Sequence, residues 1–251
     1  LGMEHQSSVT YGNGYKNGYR GRDLSVTGWG LKFDFIIIHE SGHEWFANNI
    51  TYKDIADMWI HESFTNYSES LFVEYYYGKE AGAAYVRGTR KNIRNDRPII
   101  GQYDVNNEGS GDMYYKGGNM LHTIRQIINN DEKWRQILRG LNSTFYHQTV
   151  TTQQIENYIS EQAGIDLTPV FNQYLRDTRV PTLEYYFKEK LLTYRWINCV
   201  DGFTMPVQVD LNGESLQIQP TKEWKVITIS NANSKLTIDA NYYVAGLNST
   251  N

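Results

Sequence analysis

Apolar positions recur at three- and four-residue steps from Leu31 through Asp177, then change to short alternating runs. The first rhythm predicts helices over residues 31–49, 54–77, 79–94, 112–129, 131–145, 152–162 and 167–177. In the second of these, Ile55, Met58, Trp59, Phe64, Tyr67, Leu71, Phe72 and Tyr75 recur at three- and four-residue steps. Thr151 with Gln154 reads as a capping box for residues 152–162, and Asp166 and Pro169 suit the opening turn of the last helix. Residues 6–30 set Gly12, Gly14, Gly18 and Gly21 among Ser, Tyr and Asn, which predicts strand and turns at the end of a small sheet. Residues 98–111 read as a polar loop. Beyond Pro181, runs such as V-Q-V-D-L and L-Q-I-Q predict strands at 183–188, 191–197, 206–211, 215–219, 224–229 and 235–239, with Asn212-Gly213 as a two-residue hairpin turn. The pattern predicts a mainly α domain over residues 1–178, with a small β element at its start, followed by a small all-β sandwich over residues 179–251.

The first helical run contains His39-Glu40-Ser41-Gly42-His43. Residues four apart lie on one face of a helix, so both imidazoles can aim at one point, as a zinc ion requires of two ligands. Glu40 projects beside that point, where a carboxylate can take a proton from a metal-activated water. A catalytic site needs a third ligand and an open position. Glu62 is the candidate: eighteen residues separate it from His43, and a turn over residues 48–53 would return the second helix beside the first. Its neighbour His61 points about 100° away on a helix and reads as a hydrogen-bonding neighbour instead. An isolated H-E-x-x-H also occurs on ordinary solvated helices; the second amphipathic helix carrying Glu62 is what favours the metal.

Three segments together resemble the zinc aminopeptidases related to alanyl aminopeptidase, within the gluzincins. Gly2-Met3-Glu4-His5 is similar to the family's G-x-M-E-N, H-E-S-G-H-E-W-F with Glu62 to its zinc motif, and Tyr114-Tyr115-Lys116-Gly117 to its Y-x-K-G. The resemblance implies a thermolysin-like catalytic domain and a following β-domain. It implies one zinc held by His39, His43 and Glu62, with Glu40 as general base and Tyr114 stabilising the tetrahedral intermediate. Glu4 would hold the substrate's α-amine, with Gly2 and Met3 offering backbone groups to an extended peptide. With 20 tyrosines in the chain, only the Y-x-K-G context singles out Tyr114; Lys116 stays unassigned and is as compatible with a helix surface. The family's Asn positions are His5 and His61 here, and its first Gly is Leu1, which bears on the amine pocket.

Composition narrows the rest. At 40% hydrophobic and 14% aromatic, the 251 residues suffice for a packed core. A net charge of −4 without a basic run argues against nucleic acid, and no apolar run approaches membrane-spanning length. Cys199, the single cysteine, allows no intrachain disulfide and reads as a small buried apolar residue. The chain opens at Leu1 inside the first motif, so a fragment lacking the family's N-terminal β-domain is expected, and a signal peptide cannot be judged. Sequons at Asn49, Asn66, Asn142 and Asn248 include two beside the metal helices, which suggests accidental sequons and a bacterial source; compartment stays open. The expected function is hydrolysis of N-terminal residues from peptides. A thermolysin-like endopeptidase and a non-catalytic binding module are the alternatives.

Overall fold

The structure, a computed structural model, describes residues 1–230 and 235–249. The chain opens with an antiparallel pair, β1 (Gly2–Met3) and β2 (Thr10–Tyr11), with Gly2 opposite Tyr11. The Asn13 side chain then gathers the following turns, donating to Lys16 O, Gly18 O and Asp34 Oδ1 at 2.6, 2.9 and 2.7 Å. Asp34, in an extended conformation, caps α1 (Phe35–Gly42) by accepting from the Ile36 and Ile37 amides. This cap shortens the helix expected over residues 31–49: a 3-10 turn, Trp29–Leu31, precedes it, and residues 43–49 continue as turns. The expected turn over residues 48–53 is also corrected, because β3 (Ile50–Tyr52) lies within it. A 3-10 turn, Ile55–Asp57, then leads into α2 (Trp59–Tyr77).

Gly78, at φ 97°, breaks the chain between α2 and α3 (Lys79–Gly88); a 3-10 turn, Thr89–Asn92, takes up the remainder of the 79–94 prediction. Another such turn, Gly111–Met113, precedes α4 (Tyr115–Ile128), and α5 (Asp131–Thr144) follows. The short strand β4 (Gln148–Val150) pairs in parallel with β3. Next come α6 (Thr152–Ala163), with the predicted Thr151–Gln154 capping box, and α7 (Thr168–Leu175), with Pro169 in its first turn. Asp57, buried under these elements, accepts from Tyr103 Oη at 2.6 Å and from the Thr152 hydroxyl at 2.5 Å.

The all-β region contains β5 (Thr182–Lys188), β6 (Leu191–Ile197), β7 (Val207–Leu211), β8 (Glu214–Ile218), β9 (Lys225–Thr228), β10 (Leu236–Ile238) and β11 (Ala245–Asn248). They form one sheet ordered β11-β5-β6-β9 and another ordered β10-β7-β8. Asn212 and Gly213, at φ 57° and 93°, make the predicted hairpin between β7 and β8. The additional strand β11 pairs in parallel with β5; all four of its residues are exposed, so no alternation announces it. One apolar cluster runs from Phe46, Trp59 and Phe64 through Trp134 and Phe171 to Trp196 and Phe203. A smaller one joins Phe33, Phe35 and Ile36 to Val73 and Tyr85, seating α1 on α2 and α3. Cys199 is buried and free. Asn49 and Asn66 spend their side-chain amides internally, on Asn142 and Glu69. The last sequon extends to Thr250, outside the described residues. Among the described residues no helix is long and apolar enough to cross a membrane.

Candidate metal centre

α1 and α2 meet where Gly42 lies against Thr65 and Ser68; a side chain at position 42 would crowd both. This contact sets the imidazoles of His39 and His43 against Glu62. His43 is the residue after the last helical one, but its backbone stays right-handed, so the four-residue geometry survives the shortened helix. His39 Nε2 and His43 Nε2 stand 3.4 and 3.5 Å from Glu62 Oε2. Two ligands each about 2.0–2.1 Å from one tetrahedral ion stand about 3.4 Å apart, so the spacing is that of a coordination site. The three ligand atoms form a cluster able to hold a metal ion, and all three side chains are buried.

The surroundings fit the same purpose. Glu62 Oε2 is buried without a hydrogen-bond partner, a costly arrangement that a cation would relieve. His39 Nδ1 lies 2.8 Å from Glu69 Oε1, and His43 Nδ1 lies 3.0 Å from Phe46 O and 3.1 Å from Thr65 Oγ1. Donation through Nδ1 leaves each Nε2 lone pair for the metal. Glu69 itself is wholly buried and accepts further bonds from Asn66 Nδ2 and Tyr85 Oη. The sequence reading missed Glu69, although a signal existed: it follows Glu62 by seven residues, two turns along the same face of α2.

The electrostatics favour positive charge at this point. Burial lowers His39, but the Glu62 and Glu69 carboxylates more than reverse it, raising the imidazole to about 10. Burial raises Glu62, yet His39 and His43 hold it below the usual carboxylate range. Glu40 goes the other way: burial, reinforced by Glu4 and Glu62, lifts its carboxyl to about 7 against the pull of His39. Its Oε2 is buried and unpartnered. His61, a hydrogen-bonding neighbour as expected, lines the same cavity without joining the ligand cluster. Its Nε2 accepts from the Tyr52 amide at 3.1 Å, its ring lies 4.2 Å from that of Tyr52, and burial lowers it to about 3.

A cavity of about 280 Å³ gathers these groups with Gly2, Met3, Glu4 and Tyr114. Glu4 offers an oxygen within 4.8 Å of ligand atoms of Glu40 and His43. Tyr114 stands between the 3-10 turn and the first residue of α4, its ring centroid 5.9 Å from that of His39. Burial, then the Glu62 carboxylate, raises its phenol well above the ordinary value, so it stays a donor. Gly117 follows because α4 lies directly on α2; a Cβ there would overlap Ser63 Oγ. Lys116 is not a surface lysine. It is fully buried, and its ammonium donates to Asp177 O at 2.8 Å, joining α4 to the end of α7.

A mainly helical region holding a His, His, Glu cluster able to hold a metal ion, with a further carboxylate beside it, is the fold and metal site of the gluzincin class. Residues 29–174 match the Peptidase family M1 domain, and the chain belongs to that family. It is similar to probable aminopeptidase 1 of Sulfurisphaera tokodaii, 22% identical over 236 residues, covering 84% of this chain and 29% of the relative. Aminopeptidase N of Lactobacillus helveticus is 25% identical over 174 residues, covering 61% of this chain and 20% of the relative. Among solved structures, aminopeptidase A of Legionella pneumophila in complex with aspartic acid aligns with a TM-score of 0.67 at 14% identity, over 91% of this chain and 28% of that one. An M1 zinc metallopeptidase from Deinococcus radiodurans bound to a Tyr-Ser-Ala substrate aligns at 0.54 with 21% identity, over 70% of this chain and 37% of that one. The chain thus spans less than a third of the length of these two curated relatives.

Proposed function

We propose that this chain forms the catalytic part of a zinc-dependent aminopeptidase, which removes the N-terminal residue of a peptide. The observation that supports this best is the convergence of His39, His43 and Glu62 on one point, flanked by the carboxylates of Glu40 and Glu4. Two imidazoles and one carboxylate favour zinc over harder cations. When bound, zinc would supply Lewis acidity and a hydroxide-like water near neutral pH.

Glu40, with its raised affinity for a proton, takes one from the attacking water and delivers it to the leaving amine. Tyr114 donates a hydrogen bond to the oxyanion developing on the scissile carbonyl. Glu4 pairs with the substrate's α-amine, which is largely cationic below its ordinary pKa of about 7.7–8.0. Among the described residues β1 has a strand neighbour on one edge only, so Gly2 and Met3 can offer backbone groups to an extended substrate along the other.

The test combines metal analysis with turnover. The purified protein should hold about one zinc per chain and lose activity to a chelator. Glu40→Gln should keep the zinc and lose turnover, and acetylated peptides should resist cleavage. Glu4→Ala should remove most activity. Indifference to that change, with internal cleavage of blocked peptides, would establish the endopeptidase alternative. Absence of zinc would leave a binding module.

A further inference from the structure

The cleft does not end at the metal centre. Gly2, His39, Glu40 and Tyr114 line both the cavity holding Glu4 and a second one of about 640 Å³. That second cavity extends to Tyr19, Arg22, Lys91 and Tyr115, and its size falls in the range that accommodates a small ligand. The amine side of the cleft is acidic, through Glu4 and Glu40. The far side carries two cations. Arg22 comes from the loop after β2, and Lys91 from the 3-10 turn after α3.

Neither cation is committed elsewhere. Among the described residues neither side chain has an ion pair or hydrogen bond; the Arg22 guanidinium lies over the Tyr19 ring, 5.8 Å from its centroid. Asp23, the carboxylate lining the same end, is already occupied: it accepts from Ser25 N, Ser25 Oγ and Gly28 N at 2.8, 2.7 and 2.6 Å. The two segments are also held together. Asn92 Nδ2 donates to Leu24 O at 2.9 Å, and Gly88 approaches Ser25 so closely that a Cβ would overlap its carbonyl. Arg22 and Lys91 therefore face the cleft from a braced wall.

We infer that Arg22 and Lys91 form a carboxylate clamp on the leaving-group side of the cleft, selecting short peptides with a carboxylate within a few residues of the cut. The inference rests on the aminopeptidase reading. A short peptide then spans the cleft with its charges matched, amine toward Glu4 and carboxylate toward the clamp. Both cations are exposed, so the gain is that of a partly screened ion pair, about 3- to 10-fold. It belongs to binding and falls in KM rather than kcat.

The experiment compares a tripeptide as free acid, as C-terminal amide, and as an amide carrying Asp or Glu in the second or third position. Zinc-loaded wild type should cleave the free acid with a kcat/KM about 3- to 10-fold above the plain amide, an advantage that shrinks as salt rises. Arg22→Gln combined with Lys91→Gln should bring the acid down to the amide. Recovery by the acidic side chain identifies that carboxylate as a second source; no recovery restricts the clamp to the chain end. Calorimetric binding of the same peptides to Glu40→Gln protein, with and without the clamp substitutions, gives a readout independent of turnover. Equal binding of acid and amide, or a preference that survives the double substitution, overturns the clamp. If no peptide loses its N-terminal residue, the aminopeptidase reading fails, while the binding measurement still decides the clamp.

Discussion

Glu69→Gln isolates the support behind the metal ligands. Glu69 touches no substrate, is fully buried, and accepts from His39 Nδ1 at 2.8 Å, Tyr85 Oη at 2.6 Å and Asn66 Nδ2 at 3.2 and 3.3 Å. Burial raises its carboxyl, and the donors from His39, Tyr85 and Asn66 pull it back. Glutamine keeps the shape but removes the charge that orients His39 and makes it a better ligand. Loss of such a partner weakens metal binding about 10- to 100-fold, or about 1.4–2.7 kcal/mol. The new amide also places its own N–H groups among donors, and one unsatisfied buried group costs about 1–3 kcal/mol. Zinc affinity, measured by competition with a chelator at fixed pH, should fall by that factor. For a chain of this size the metal-free protein should melt about 2–12 °C lower. A folded variant that binds zinc within twofold of wild type would refute the role of Glu69.

On its proposed role, Tyr114→Phe should lower kcat about 10²–10³-fold with little change in KM and leave zinc content intact, because the lost donor would act on charge formed only during reaction. Gly117→Ala should destabilise by about 1–3 kcal/mol, read as a lower denaturant midpoint with an unchanged slope. The Ser63 hydroxyl that it would strike is already tied to Met113 O at 2.6 Å. Asp131 is held at about 2, first by its hydrogen bond from Arg125 and then by Lys79, so it stabilises the fold above the unfolded pKa of about 3.9 and loses that effect as pH falls through 2. Asp131→Asn should therefore lower the melting temperature at neutral pH and flatten its decline between about pH 4 and 2.

What could be read from the sequence follows rules that act over a few residues. The four-residue step from His39 to His43, the Thr151–Gln154 box and the Asn212-Gly213 turn are all specified locally, and the structure contains each. The unread features are non-local. β3 and β4 are three residues each and pair across some ninety intervening positions, so neither strand has a pattern of its own. Lys116 is buried because Asp177 O waits for it, sixty-one residues away, and nothing around Lys116 announces that partner. Helix α1 starts late because Asp34 is fixed by Asn13 and by Tyr11, both earlier in the chain, as well as by its own cap. The same division separates chemistry from selectivity. The metal cluster needs two adjacent helices, and its spacing can be counted along the chain. The far wall needs Arg22 and Lys91 brought together from segments sixty-nine residues apart, through a contact between Asn92 and Leu24 that no local pattern encodes. Under the proposed clamp, substitutions in that wall change which peptide is taken while the metal motif remains intact.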